Sequence, residues 1–288
     1  MKDLINEIKE SIVFLGFIEN GHERVVGTGF LIQVENIFHL VTAKHVVENN
    51  FENLVVFLNS KQFQKPSAKP LKLIYDGGFR WIRHKNPEID IAILPFLLGN
   101  DDKVKFIPDN LIPKDLSEIH ELIDVFYLSY QPGLNDLKKD GGVNPIIRKG
   151  VISRMNNDNT FFIDGSAFPG NSGSPVFLFP TPIKINNNGF MIGGPMNVQL
   201  LGVMGAYISY QDVAISQQTK KPKVIFEENT GLSLIYSTKS LSELIESDEF
   251  RNQVDLIKKN LNLSPAAPAQ PEQPKQAAPT APEEKKNQ

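Results

Sequence analysis

The stretch that decides the fold lies at residues 163–177, which read IDGSAFPGNSGSPVF. At its centre, PGNSGSPV, Ser172 stands close to two glycines, Gly170 and Gly173, and a hydrophobic run follows from Pro175. Glycine permits tight turns and close approach of other groups. The stretch is therefore either a flexible Gly/Ser/Asn surface loop or a strained turn that presents a serine nucleophile. In the second interpretation, the backbone N–H groups of Gly170 and Ser172 converge to form an oxyanion hole.

The whole chain has the composition of an ordinary globular protein. It contains 288 residues, of which 41% are hydrophobic and 22% are charged, and its formal net charge is −3. This length suits one large all-β domain or two small domains. Nucleic-acid binding usually requires a basic face, so the overall charge gives no support for a nucleic-acid partner.

The absence of cysteine removes several kinds of chemistry. With no cysteine in the sequence, the fold uses no disulfide, thiolate metal site or cysteine nucleophile.

The N-terminal segment MKDLINEIKESIVFLGF mixes acids and bases and lacks the features of a signal peptide. No run of about 18 apolar residues is present, so no membrane span is expected. These features favour a cytoplasmic protein with no membrane partner.

Short apolar runs and turn residues alternate through most of the chain. Runs such as VVGTGFLIQV, IFHLVTA, NLVVFL and DVFYLSY follow one another closely, with few helical stretches between them. This rhythm predicts an antiparallel all-β barrel or sandwich, because a parallel sheet would alternate strands with helices.

The C-terminal part is predicted to contain helices followed by a segment of biased composition. Ser240 and Glu243 have the spacing of a capping box, which predicts the start of a helix at Ser240. A second helical stretch is predicted from the apolar residues Phe250, Val254, Ile257 and Leu261. From Ser264 the composition changes to Pro, Ala, Gln, Glu and Lys. Such a segment has no apolar side chains to bury, so residues 263–288 are predicted to form a disordered Pro/Ala-rich tail.

Two further side chains would complete the chemistry of a serine nucleophile. The attacking hydroxyl needs an imidazole to take its proton and a carboxylate to hold the imidazole in the right tautomer. His45 follows a predicted strand in HLVTAKHVVENN, whereas its nearest rival, His39, lies inside that strand. Asp90 lies in the apolar segment PEIDIAILPF, where a buried carboxylate is costly without a partner, and Glu88 is its neighbouring alternative. Taken alone, each residue also fits a structural or exposed role.

The order of the three candidates along the chain excludes one class of hydrolase. They occur as His45, Asp90 and Ser172. An α/β-hydrolase has the order Ser, Asp, His and the motif G-x-S-x-G, in which the last glycine would replace Ser174.

Several segments, in this order, resemble the marker segments of trypsin-like serine proteases of the chymotrypsin fold, and they are closest to the bacterial HtrA/Deg-type protease domain. Each segment alone is a weak signal, but their order and separation form a strong one over roughly residues 10 to 250. The segments are GTGFLI at 27–32, TAKHV at 42–46, DIAIL at 90–94, PGNSGSPV at 169–176, LLGVMGAY at 200–207 and GLSLIYSTKSLSEL at 231–244.

The resemblance implies an all-β fold of two six-stranded antiparallel β-barrels, with a C-terminal helix and the active site in the cleft between the barrels. Residues 1–262 then form the protease domain, and the tail of roughly 25 residues is too short to fold as a PDZ domain. The implied parts are a first barrel at about 10–107, a second barrel at about 121–238 and a helical segment at 240–262.

The resemblance also implies a specificity pocket. By alignment on Ser172, the floor and walls of this pocket are predicted to consist of Ser166, Ala167, Phe168, Gly205, Ala206 and Tyr207. No acidic residue is among them, so we expect a small or medium apolar side chain, not Arg or Lys, at the cleaved residue.

The function implied is that of a serine endopeptidase acting on a protein or peptide substrate. His45 would act as general base and then acid, Asp90 would orient it, and Ser172 would form the acyl-enzyme. No metal or other cofactor is expected. The alternative is a catalytically silent module that binds peptides in the same cleft, and the sequence leaves the oligomeric state open.

Overall fold

The structure is a computed structural model, and it describes residues 2–48, 53–62, 66–113, 115–180, 183–186, 189–192 and 198–260. The predicted tail and Leu261 lie outside these ranges. No helix within them is long and apolar enough to cross a membrane.

The N-terminal half is built around one antiparallel sheet that follows a short helix, α1 (Lys2–Glu10). Its strands are β1 (Ile12–Glu19), β2 (His22–Val34), β3 (Ile37–Thr42), β4 (Val55–Leu58), β5 (Ser67–Pro70), β6 (Ile82–Arg83) and β7 (Ala92–Pro95), with a helix, α2 (Lys72–Asp76), between β5 and β6. The seven strands pair in the order β5-β4-β1-β2-β3-β7-β6. A six-stranded barrel was expected here, whereas the described strands form a seven-stranded sheet, in which the short β5 pairs along its whole length with β4.

The second half contains a closed six-stranded barrel. Its strands are β8 (Asp124–Ser129), β9 (Ile146–Met155), β10 (Thr160–Asp164), β11 (Pro175–Leu178), β14 (Leu200–Ile215) and β15 (Pro222–Ser237). They close in the order β10-β15-β14-β11-β8-β9, and a separate pair is formed by β12 (Ile183–Asn186) and β13 (Gly189–Ile192). The predicted all-β class with a chymotrypsin-like arrangement is confirmed.

Apolar side chains of the strands form two clusters. The larger one fills the N-terminal half, where Phe14, Phe30 and Phe57 are completely buried, and it extends to residues of the second half such as Phe126 and Phe177. The smaller one lies inside the closed barrel and includes Phe161 and Ile163 of β10. Burial of each large side chain stabilises the fold by about 1.5–3 kcal/mol. The segments that carry the candidate site begin where these buried strands end.

Two C-terminal helices, α3 (Thr238–Ile245) and α4 (Asp248–Asn260), complete the described chain. The predicted start of the first helix was wrong, because the helix continues directly from β15 and Ser237 occupies the N-cap without a side-chain hydrogen bond. Ser240 is buried inside the helix, and Glu243 accepts a hydrogen bond from His84 instead. The second helix is confirmed, since Phe250, Val254 and Ile257 form its buried face.

Candidate active site

Ser172 lies in the turn between β10 and β11. Gly173 follows it with a φ of +86°, which is strained for residues other than glycine. A Cβ atom at Gly173 would also lie 2.1 Å from the carbonyl oxygen of Thr28 and 2.2 Å from the Oγ1 atom of Thr42. The turn is therefore packed against β2 and β3 and is no free surface loop.

The backbone amides of this turn differ in whether they donate a hydrogen bond within the protein. Three of them donate to carbonyl oxygens of the main chain, namely Asn171 to Phe168 (2.9 Å), Gly173 to Met204 (2.7 Å) and Ser174 to Asn171 (3.0 Å). The N–H groups of Gly170 and Ser172 have no hydrogen-bond acceptor among the described residues. Within the described part of the chain these two amides are therefore uncommitted, and their role as an oxyanion hole stays a prediction.

His45 and Asp90 are in direct contact. His45 lies in the 3-10 turn Lys44–Val47, which follows β3. Its Nδ1 atom is 2.6 Å from Oδ2 of Asp90, and its backbone N–H donates to Oδ1 at 2.9 Å. The side chain of Asp90 is only 16% exposed, whereas that of His45 is 48% exposed. The carboxylate thus holds His45 at two points, the ring Nδ1 atom and the backbone N–H, and leaves the other edge of the imidazole open.

The contact also controls the protonation of His45. The hydrogen bond to Asp90 raises the pKa of His45 above its ordinary value of 6.5, and partial burial opposes this rise. Lys44 does not compete for Asp90, because its Nζ atom donates to the carbonyl oxygen of Pro87 at 2.6 Å.

The two alternative candidates, His39 and Glu88, lie outside the contact between His45 and Asp90. His39 is completely buried in β3, where its Nδ1 atom lies 3.0 Å from the carbonyl oxygen of Ile37. Burial lowers the pKa of His39 to about 4. Glu88 is exposed, and its backbone N–H binds the side chain of Asn86. The structure therefore pairs His45 with Asp90 and leaves both rivals outside the pair.

Ser172 and His45 share one cavity of about 180 Å³. Pro169 lines this cavity too. So do five of the six predicted pocket residues, namely Ala167, Phe168, Gly205, Ala206 and Tyr207. This arrangement brings the hydroxyl and the imidazole, supplied by different halves of the chain, to the same small space.

Ser166 is not part of this cavity, in contrast to the prediction. It lines a separate cavity of about 540 Å³ together with Arg148 and Asp164. Its carbonyl oxygen accepts hydrogen bonds from the hydroxyl of Tyr127 (2.9 Å) and from Arg148 (3.3 Å). These bonds hold the Ser166 backbone against the barrel wall, away from the space next to Ser172.

Two aromatic side chains narrow the cavity beside Ser172. Phe168 is 37% exposed, and the guanidinium group of Arg148 lies 5.1 Å from the centroid of its ring. The hydroxyl of Tyr207 donates to Glu227 at 3.0 Å, and this bond raises the pKa of Tyr207. The cavity is thus small and mostly apolar. The hydrogen bond between Tyr207, which lines the cavity, and Glu227 joins β14 to β15.

Thr28 joins the Ser172 turn to the N-terminal sheet. Its hydroxyl donates to the carbonyl oxygen of Gly170 at 2.7 Å and accepts from the N–H of Tyr130 at 3.0 Å. Its backbone N–H donates to the carbonyl oxygen of Ser172 at 2.9 Å. Sequence reasoning missed this role, although Thr28 lies in the GTGFLI segment.

Asn171 and Tyr236 are two further residues whose positions only the structure reveals. The Asn171 side chain is fully buried, accepts from the N–H of Phe168 and donates to the carbonyl oxygen of Tyr130. A Cβ atom at Gly205 would lie 2.4 Å from the ring of Tyr236 and 3.5 Å from Oδ2 of Asp90. Gly205 therefore leaves room for this ring next to the carboxylate, and burial together with the charge of Asp90 raises the pKa of Tyr236 to about 12.

The described residues contain no group of three or more His, Cys, Asp or Glu side chains that could hold a metal ion. The chemistry available at the site is that of an oriented imidazole, a hydroxyl and two free amides.

Comparison with known proteins identifies the family of the chain. A search of curated proteins found no match. Among solved structures, the fold is similar to the crystal structure of the serine endoprotease from Yersinia pestis, with 17% sequence identity and a TM-score of 0.49 over 88% of this chain and 67% of that chain. The family model of the trypsin-like peptidase domain matches residues 27–179, which is more than half of the chain and includes His45, Asp90 and Ser172. The chain belongs to the trypsin-like peptidase family.

Proposed function

We propose that the protein is a serine endopeptidase in which His45, Asp90 and Ser172 form the catalytic triad. The observation that carries the proposal is that the imidazole bound by Asp90 and the hydroxyl of Ser172 line the same cavity. A hydroxyl is a weak nucleophile, and an adjacent general base that an acceptor holds in place is the usual means of activating it.

The reaction begins with attack of the Ser172 oxygen on the carbonyl carbon of a peptide bond. As the new C–O bond forms, Nε2 of His45 takes the hydroxyl proton, and Asp90 stabilises the resulting imidazolium. The carbonyl oxygen becomes negative and accepts hydrogen bonds from the N–H groups of Gly170 and Ser172. One such donor is typically worth about 10²–10³ in rate.

The second half of the reaction returns the enzyme to its starting state. His45 gives its proton to the departing amine as the C–N bond breaks, which leaves an acyl group on Ser172. Water then attacks the acyl carbon while His45 again takes a proton, and the hydroxyl of Ser172 is restored. The balance of atoms and protons requires no metal or other cofactor.

The proposed substrate is a protein or peptide with a small or medium apolar side chain at the cleaved residue. The support is the volume of the cavity, about 180 Å³, and its walls of Ala167, Ala206 and the rings of Phe168 and Tyr207. A long basic side chain would find no acidic partner among the residues that line this cavity.

Incubation with a peptide library, followed by mass spectrometry of the products, tests this function. We expect the wild-type protein to cleave after apolar residues and Ser172→Ala to be slower by about 10⁴-fold or more. Ser174→Ala is the matched control, because Ser174 lies two residues away and its buried hydroxyl has no partner among the described residues. Equal cleavage by wild type and Ser172→Ala would disprove the proposal. Peptide binding without cleavage by the wild type would indicate the silent binding module.

A further inference from the structure

The hairpin of β14 and β15 extends well beyond the barrel. We call residues 210–230 the hairpin arm. Every residue of the arm except Ser216 is exposed. Within the described residues, β14 pairs with β11 only over Leu200–Val203, and β15 pairs with β10 only from Leu232 onward. The two strands of the arm therefore pair with each other, and each has a free outer edge.

The arm exposes more apolar surface than a free ribbon is expected to carry. Its large hydrophobic side chains are between 41% and 63% exposed, and they are Tyr210, Val213, Ile215, Val224, Ile225 and Phe226. An isolated two-stranded hairpin is marginally stable in water, and contiguous exposed apolar residues usually mark an interaction surface. Free strand edges add unpaired backbone groups that can bind another strand.

The charges on the arm are separated along its length. Acidic residues lie on the half next to the barrel, namely Asp212, Glu227 and Glu228, and basic residues lie near the tip, namely Lys220, Lys221 and Lys223. A second arm that runs in the opposite direction would place its tip beside the acidic half of the first. The arm is therefore complementary in charge to a second copy of itself.

We propose that two copies of this chain associate through the outer edges of their β15 strands, which pair antiparallel about a twofold axis at Ile225. The two arms then form one four-stranded antiparallel sheet. In this register Ile225 faces Ile225 of the second copy, and Val224 faces Phe226 of the second copy. Lys223 faces Glu227 of the second copy, and the symmetry makes every unequal pair occur twice.

Cross-strand pairing rules favour this edge over the other. The corresponding twofold pairing of the β14 edge about Val213, the hairpin partner of Ile225, would set Asp212 opposite Ala214 and Gln211 opposite Ile215, and it would form no ion pair of this kind. Moving the twofold axis of the β15 pairing from Ile225 to Phe226 would set Ile225 opposite Glu227 and Lys223 opposite Asn229, so the Lys223–Glu227 ion pair would be lost. Pro222 lies at the first position of β15, where a strand tolerates a missing N–H.

Cysteine cross-linking tests the register directly, because the natural chain contains no cysteine. Directly opposite residues of an antiparallel pair have Cα atoms about 4.5–5.5 Å apart, within the range that a disulfide spans. We expect Ile225→Cys to form a disulfide-linked dimer under mild oxidation. Val213→Cys is the matched control, since Val213 is the partner of Ile225 within the hairpin but lies on the other edge. Absence of the Ile225→Cys dimer, or equal cross-linking of both variants, would refute the register.

Reversal of the charges tests the interface without a cross-link. We expect wild type to sediment as a dimer, and Lys223→Glu or Glu227→Lys to raise its dissociation constant by at least about tenfold, since each creates two like-charge pairs. The double variant exchanges the charges and should restore the dimer. A monomeric wild type, single variants that dimerise normally, or a different protein bound to the arm would each overturn the proposal. The test does not depend on peptidase activity, so Ser172→Ala should dimerise as the wild type does.

Discussion

At the scale of single residues, we expect the contact between His45 and Asp90 to set the pH dependence of the proposed reaction. The carboxylate raises the pKa of His45 above 6.5, and only the neutral imidazole can accept the proton of Ser172. The protonated imidazole is stabilised by folding. Its contribution to stability is therefore complete below pH 6.5 and is lost as the pH rises through the raised pKa.

We predict that kcat/KM for a peptide substrate rises with pH through a midpoint above 6.5. Asp90→Asn should move this midpoint to lower pH, because the largest cause of the raised pKa is removed, and should lower kcat by about 10⁴-fold. A pH profile of hydrolysis for both proteins provides the measurement. An unchanged midpoint in Asp90→Asn would mean that Asp90 does not act on the catalytic imidazole.

Gly173 gives a second prediction at this scale. Gly173→Ala would combine a left-handed backbone with a direct clash against the Thr28 carbonyl, and we expect it to lower the free energy of unfolding by about 3 kcal/mol. Gly133→Ala is the matched control, because Gly133 has a φ of +79° with nothing within 4 Å of the added Cβ. Gly133→Ala should lower the free energy of unfolding by about 1 kcal/mol. Urea unfolding of both variants measures the difference, and equal losses would show that the turn is not packed against β2.

The positions of Ser172, His45 and Asp90 could be predicted from the sequence because each occurs in a short segment of distinctive residues. Thr28 and Tyr236 could not, because their contacts join segments that are distant in the sequence: Thr28 reaches Gly170, and the ring of Tyr236 fits beside Gly205. The prediction that Ser166 lines the pocket failed for a related reason, since the orientation of its backbone depends on hydrogen bonds from Tyr127 and Arg148, which are distant in the sequence.

At the scale of secondary-structure elements, β3 and α4 meet at His39. The imidazole of His39 lies 4.8 Å from the ring of Phe250, and its Nε2 atom has no hydrogen-bond partner among the described residues. The pKa of about 4 means that the folded protein resists protonation here, whereas the unfolded chain takes up a proton near pH 6.5. The stability contributed by the neutral, buried ring is therefore complete above pH 6.5 and is lost as the pH falls toward 4.

We expect the free energy of unfolding to decrease by about 2–3 kcal/mol between pH 7 and pH 4.5 through this residue alone. His39→Phe keeps an aromatic ring against Phe250 and removes the titrating group, so its unfolding free energy should depend less on pH by that amount. Urea denaturation at the two pH values measures the effect. The same pH dependence in wild type and variant would contradict a buried neutral His39.

Strands were predicted more reliably than the boundaries between elements. Most core strands are buried along nearly their whole length, so they appear in the sequence as short apolar runs between turn residues, and this rhythm indicated the all-β class. The capping-box spacing at Ser240 failed because β15 runs into α3 without a break, so that packing and not side-chain capping determines where the helix begins. The length of the hairpin arm also depends on pairing between β14 and β15 that local patterns do not specify. The resemblance to HtrA/Deg-type domains in particular stays a prediction.

At the scale of the whole molecule, the proposed triad is divided between the two halves, so its geometry depends on how they are joined. Thr28 of β2 provides three of the hydrogen bonds between them. The contact is buried, and a backbone group left without a partner there would cost about 1–3 kcal/mol.

We predict that Thr28→Val, which keeps the shape but removes the hydroxyl, lowers the free energy of unfolding by about 2 kcal/mol or more. It should also slow peptide hydrolysis by between about tenfold and a hundredfold, because the Gly170 peptide next to the oxyanion site loses its anchor. Thr28→Ser retains the hydroxyl and serves as the control. Thermal unfolding and peptide hydrolysis are the two measurements, and full activity in Thr28→Val would show that the halves are aligned by other contacts.

The central claim is that the imidazole of one half activates the hydroxyl of the other. Its most direct test is reaction with a fluorophosphonate, followed by intact-mass measurement and peptide mapping. We predict one phosphonyl group per chain on Ser172 in the wild type, much slower labelling in His45→Ala and no labelling in Ser172→Ala. A wild-type protein that stays unmodified while a known serine protease reacts under the same conditions, or a label on a serine other than Ser172, would contradict the account.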